Sequence, residues 1–222
     1  MWPIIKKNSI LFFIYALPIL ALSTLIWLDD FSSENLAGNS HIVFYFLIWM
    51  WIIIPGFAAA GEQLESKDEG YEFLKTLPVT DAEIVAAKFL LTLIMTAACV
   101  FLYLVLISFH KAPPPVLRGV RILTIVSGLV CLIVAALMHI GIFKIGITRM
   151  NKFLWLDAIA VTVVMVMSIK SLLPRSEAYL FSIIDYMSQI HWFMQLFVVA
   201  AVLYCYYLLM KAAVKAKIAA KE

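Results

Sequence analysis

The residues of this 222-residue chain that could do chemistry are few and dispersed: four histidines, three cysteines and a handful of ionisable groups at or inside apolar runs. His41, His110 and His191 fall at the ends of apolar runs, where an amphipathic ring is comfortable. His139 lies deeper, so it either packs with one polar contact or handles a ligand. No second histidine on another run faces it in a haem or zinc spacing. Cys99, Cys131 and Cys205 each sit within an apolar run, in neither a disulfide framework nor a metal spacing. A membrane serine protease would want its Ser in a Gly-x-Ser setting, and Ser127 has Ile125 where that Gly should stand. The stretch from Gly141 to Thr148 resembles a phosphate loop only faintly. It lacks the lysine before Thr148, and no strand precedes it. It reads as a helix end and turn. The chain is therefore expected to have no catalytic residue, metal or cofactor of its own.

Two kinds of residue remain open. Asp157 and Lys170 bracket one apolar run, and an ionisable group at such a place is by default a functional candidate. Asp157 either pairs with Lys152 or Arg149 or lines a pathway. Tyr204, Tyr206 and Tyr207 either touch lipid and neighbouring helices or line a pathway for a partly apolar substrate. Asp157, His139 and Tyr204 are the pathway candidates.

The elements that must position these residues are set by composition. Hydrophobic residues make up 64% of the chain and charged ones 14%, against about half and a quarter in soluble domains. A core of this size could not hide that excess, whereas a bilayer absorbs about 20 apolar residues per helical span. The expected fold is an all-α membrane protein, one domain over 1–222, with six spans at about 10–28, 41–60, 89–109, 120–142, 153–169 and 191–210. The first run resembles a signal peptide, but it is long enough to stay as a helix. Trp2, Trp27, Trp155 and Trp192 sit near run ends, as an interfacial aromatic belt does.

Lysines and arginines divide unevenly between the loops. Twelve lie on the side of the N-terminus, the 61–88 and 143–152 loops and the C-terminal tail. Five lie on the other side: Lys111, Arg118, Arg121, Lys170 and Arg175. Both termini are thereby assigned to the cytoplasm of a multi-pass cell-membrane protein. The clusters report topology, and no basic face suited to nucleic acid is present. Pro113-Pro114-Pro115 is expected to stiffen an outer turn. Within 174–190, Leu180, Ile183, Ile184, Met187 and Ile190 recur at helical spacing, predicting a short amphipathic or re-entrant outer helix.

The connection 61–88 is the longest polar stretch, with seven acids against three lysines. Such an acidic surface suits a basic partner. Tyr71, Leu74 and Leu77 share a helical face, with Phe73 beside it, and Pro78 closes the segment. Thr80 and Glu83 then form a T-x-x-E capping box that opens a helix running through Ile84 and Lys88 into the third span.

The run EGYEFLKTLPVTDAEIVAAK resembles the loop after the second helix of ABC transporter permeases of the ABC-2 class. Glu69, Gly70, Leu74, Leu77, Pro78, Val79, Thr80, Ile84, Val85 and Lys88 carry the likeness. Asp81 stands where that family often has a basic or small polar residue. The six-span layout, the basic N-terminal piece and the amphipathic segment before the last span also fit, so the resemblance covers essentially the whole chain. It implies that Glu69, Gly70, Tyr71, Glu72, Phe73, Leu74, Leu77 and Pro78 form a cytoplasmic coupling helix that docks in a separate ATPase, which binds the ATP and magnesium. It further implies two permease chains, identical or sister, with two ATPases. The expected function is export of an amphipathic peptide or drug. The alternative is a membrane anchor for a cytoplasmic partner that transports nothing.

Overall fold

Helix α1 begins where the local chemistry of Thr80 and Glu83 requires it. In the computed structural model, which describes Ile54 and residues 79–108, 114–146 and 182–219, α1 spans Asp81–Ser108. The Glu83 carboxylate accepts from the Thr80 backbone N–H at 2.8 Å and from its hydroxyl at 2.9 Å. The Thr80 hydroxyl oxygen in turn accepts from the Glu83 N–H at 3.3 Å. Two otherwise unsatisfied donors at the helix start are thus answered. Asp81 and Glu83 also place negative charge at the positive end of the helix dipole.

Helix α2 spans Pro114–Ile145. The triproline was expected to act as an outer turn. Instead its last two members form the first turn of α2, where a missing N–H costs nothing because no carbonyl precedes it in the helix. Gly146 closes α2 with φ 81°, and its N–H bonds to the Ile142 carbonyl at 2.9 Å. That is a left-handed glycine cap, so the glycines at 141 and 146 belong to a helix and its end.

Residues 182–189 form a short helix, α3, and α4 spans Trp192–Ala219. Within α3, Ile184 is buried, whereas Ile183, expected on the same apolar face, is exposed, as is Tyr186. His191 caps α4: its carbonyl accepts from Met194 at 3.0 Å, and its Nδ1 accepts from the Phe193 N–H at 3.3 Å. The sequence placed the end of the last span at 210, but the helix continues to Ala219 because residues beyond 210 pack on the bundle.

Among the described residues all regular structure is helical. α1, α2 and α4 are each long and apolar enough to cross a membrane. At 1.5 Å per residue, 28 and 32 residues reach about 42 and 48 Å, beyond a hydrocarbon core of about 30 Å. Buried hydroxyls inside these helices bond back to the carbonyl four residues earlier: Thr96 to Thr92 and Thr124 to Val120, each at 2.8 Å. This is how a hydroxyl is satisfied without water. The expected spans 10–28 and 153–169, and 41–60 apart from Ile54, lie outside the described residues, as does the 69–78 segment.

The three long helices pack on one another. Tyr103, Ile107 and Val120 meet Ile184 of α3 at one end. Val85, Phe89, Leu132, Ala136, Phe143, Tyr206 and Ala213 form the cluster at the other. Ile54 reaches Cys131 and Ala135 near the middle of α2. Arg118 donates to the Ile190 carbonyl at 3.1 Å, joining the N-terminal ends of α2 and α4. α4 therefore runs parallel to α2, and α1 runs antiparallel to both. Gly119 lets α3 reach α2, because a Cβ there would fall inside the Ile184 carbonyl and side chain.

Candidate functional site

One spacing appears on both α1 and α2. Val85, Lys88, Phe89, Thr92 and Thr96 have the same offsets as Leu132, Ala135, Ala136, His139 and Phe143. All ten are buried. Steps of three and four residues hold each set on one helical face, so two matched faces oppose each other. Tyr206, Ala213 and Lys217 of α4 follow with offsets of seven and eleven and cover the same end. Ala135, Ala136 and Ala213 are essentially inaccessible, and their small side chains let the helices approach closely.

The result is a polar group of residues inside an apolar bundle. The Thr92 hydroxyl donates to the Lys88 carbonyl at 3.0 Å. The same hydroxyl hydrogen-bonds His139 Nε2 at 3.1 Å, donor and acceptor following the imidazole tautomer. The Tyr206 hydroxyl donates to the Phe89 carbonyl at 2.7 Å, linking α4 to α1 across 117 positions. Rings surround these bonds. Phe89 lies 5.4 Å from His139 and 5.2 Å from Tyr206, and His139 stacks on Phe143 at 6.2 Å.

Two buried ammonium groups reach the same ring. Lys88 Nζ is 5.6 Å and Lys217 Nζ 5.2 Å from the centroid of Phe143. Both distances fall within cation–π range. Lys88, His139 and Lys217 thus bring ionisable groups from all three helices to the end of the bundle where α1 begins.

Of the sequence candidates, His139 joins this group. Tyr204 does not: it is 63% exposed on the opposite face of α4. Asp157 and the coupling residues Glu69, Gly70, Tyr71, Glu72, Phe73, Leu74, Leu77 and Pro78 lie outside the described residues. Sequence reasoning missed Thr92, Phe143 and Lys217 as site residues and did not separate Tyr206 from Tyr204 and Tyr207. The signal was the spacing of 3, 1, 3 and 4 residues repeated on two helices, together with Phe143 four residues after His139. Lys217 was counted only as a tail charge. No group of three or more potential metal ligands occurs among the described residues.

The family model for ABC-2 family transporter proteins matches residues 3–211. No curated protein and no solved structure matches the chain. A match over nearly the full length agrees with the membrane-capable helices. The chain belongs to the ABC-2 transporter family, as a membrane component of the permease class.

Proposed function

We propose that this chain is the permease subunit of an ATP-driven exporter, and that its 61–88 connection receives the motion of a separate ATPase. The capping box carries the reading. It puts the end of that connection directly onto the first turn of an unbroken 28-residue helix. Two turns along, α1 enters the buried group that joins it to α2 and α4 through Thr92–His139 and Tyr206–Phe89. A displacement applied before Thr80 would therefore move three helices together.

In this reading Glu69, Gly70, Tyr71, Glu72, Phe73, Leu74, Leu77 and Pro78 form the coupling helix, and ATP and magnesium bind the partner. Two copies of the permease, or one with a sister chain, pair with two ATPases. Six spans and cytoplasmic termini complete the arrangement. The opposed ends of the described helices support it: α2 finishes at the end where α1 starts, whereas α3 packs at the other. The apolar character of the bundle fits an amphipathic peptide or drug leaving the cell. His139 and Asp157 are retained as pathway candidates.

The test is paired: capture of a candidate ATPase by the full chain, and ATP hydrolysis by the complex in proteoliposomes loaded with substrate. Capture with transport supports the exporter. Stable capture without transport or stimulated hydrolysis would replace it with the membrane-anchor reading.

A further inference from the structure

The outward face of α4 carries a continuous stripe whose character changes along its length. Phe193, Phe197, Tyr204, Tyr207, Lys211 and Lys215 follow at intervals of four, seven, three, four and four residues. At about 100° per residue, they fall within roughly 80° of one another. All six are exposed, the first three by 64%, 65% and 63%. Tyr206, Ala213 and Lys217 occupy the opposite face, against α1 and α2. Only 6% of the most apolar stretch of α4 is buried, so this stripe meets whatever surrounds the protein.

Hydrocarbon alone suits Phe193 and Phe197 but not the basic end. Tyr204 and Tyr207 present hydroxyls, and Lys211 Nζ lies 4.6 Å over the Tyr207 ring. The ammonium is thereby drawn back along the helix over an aromatic surface. Lys215 stands one turn further, so its side chain neighbours that of Lys211. A second copy of the chain is a poor occupant. Copies in one membrane run in the same direction, and a two-fold contact along this stripe would set four ammonium groups together. An anionic phospholipid matches every part. Its phosphodiester would sit between Lys211 and Lys215, its glycerol oxygens near Tyr207, and an acyl chain along Tyr204 and Phe197. We propose that this stripe is a binding site for an anionic phospholipid, in the leaflet at the Lys211 end of α4. The proposal stands whether or not the chain transports.

The experiment is native mass spectrometry of the full chain released from detergent, titrated separately with dioleoylphosphatidylglycerol and dioleoylphosphatidylcholine. Phosphatidylglycerol should be retained in preference. Lys211→Gln and Lys215→Gln should each weaken that binding about fivefold, and Lys211→Arg should retain it. Lys144→Gln, at the same end but on α2, should leave it unchanged. Equal retention of the two lipids would overturn the site. So would equal losses from Lys144→Gln and Lys211→Gln, which would mean diffuse surface charge. Oxidative cross-linking of two Tyr204→Cys chains, in a background lacking Cys99, Cys131 and the exposed Cys205, would assign the face to a second copy instead.

Discussion

Thr92 shows how much one hydroxyl can organise in a membrane helix. A threonine there could satisfy itself on the Lys88 carbonyl alone, as Thr96 does on Thr92. Because it also faces α2, it hydrogen-bonds His139 Nε2 as well. Thr92→Val keeps the shape and removes the hydroxyl that bonds the buried imidazole. We expect a loss of about 1–3 kcal/mol, read as a lower midpoint of unfolding in detergent. Tyr206→Phe tests the second link separately. Removing the hydroxyl leaves the Phe89 carbonyl with its intrahelical bond, so the loss should be smaller, about 1 kcal/mol. If Tyr206→Phe proves as damaging as Thr92→Val, the histidine contact is not what ties the helices.

At the scale of elements, the chain handles its two ends differently. At one end a glycine lets backbone meet backbone. Gly119 brings α2 against Ile184, and the Ile190 carbonyl accepts from both Arg118 and Gln195, the latter at 3.0 Å. Gly119→Ala therefore has to separate α3 from α2, since the obstructing atoms include a backbone carbonyl rather than a flexible side-chain tip. A loss of about 1–3 kcal/mol is expected, seen as faster proteolysis at the 182–190 segment than in the unsubstituted chain. At the other end, the capping box defines where α1 may begin. Thr80→Ala removes the hydroxyl that accepts from Glu83, so the start of α1 should fray. On the proposed function this variant captures the ATPase normally but shows reduced substrate-stimulated hydrolysis. Normal stimulation would mean that the helix start transmits nothing.

For the whole molecule, the proposed coupling makes two demands. The acids and apolar residues of 69–77 have to reach a partner, and the side they occupy has to be the cytoplasm. Buried aromatics carry most interface energy, whereas rim charges set orientation and rate. Phe73→Ala should then cost on the order of 2 kcal/mol of docking, measured by titrating the ATPase. Glu72→Lys should weaken docking in a salt-dependent manner. Cysteine labelling at Ser66 in a background lacking Cys99, Cys131 and Cys205 reports the side. Labelling by an impermeant reagent only after the membrane is opened fits the assigned orientation. Labelling from outside would reverse it, and the ATPase could not then dock there.

Composition and local spacing alone were enough to show that this chain lives in a membrane, that a capping box starts a helix at Thr80, and that a short helix precedes the last span. Each depends on interactions within a few residues or on the sum of apolar surface, which need no knowledge of the fold. The family likeness was legible for the same reason, since its motif is one short run ending at Lys88. What tertiary structure decided was which polar residues meet. Lys217 looked like a tail charge because nothing near it in sequence reveals that Ala213 brings α4 against Phe143. Tyr204 and Tyr206 looked equivalent, but two positions on a helix differ by about 200°. One hydroxyl therefore bonds α1 while the other ring faces outward. The triproline misled because proline's meaning depends on whether a helix follows or precedes it. In a chain apolar on nearly every face, hydrophobic periodicity does not say which side of a helix turns inward. Only the packing of its neighbours does.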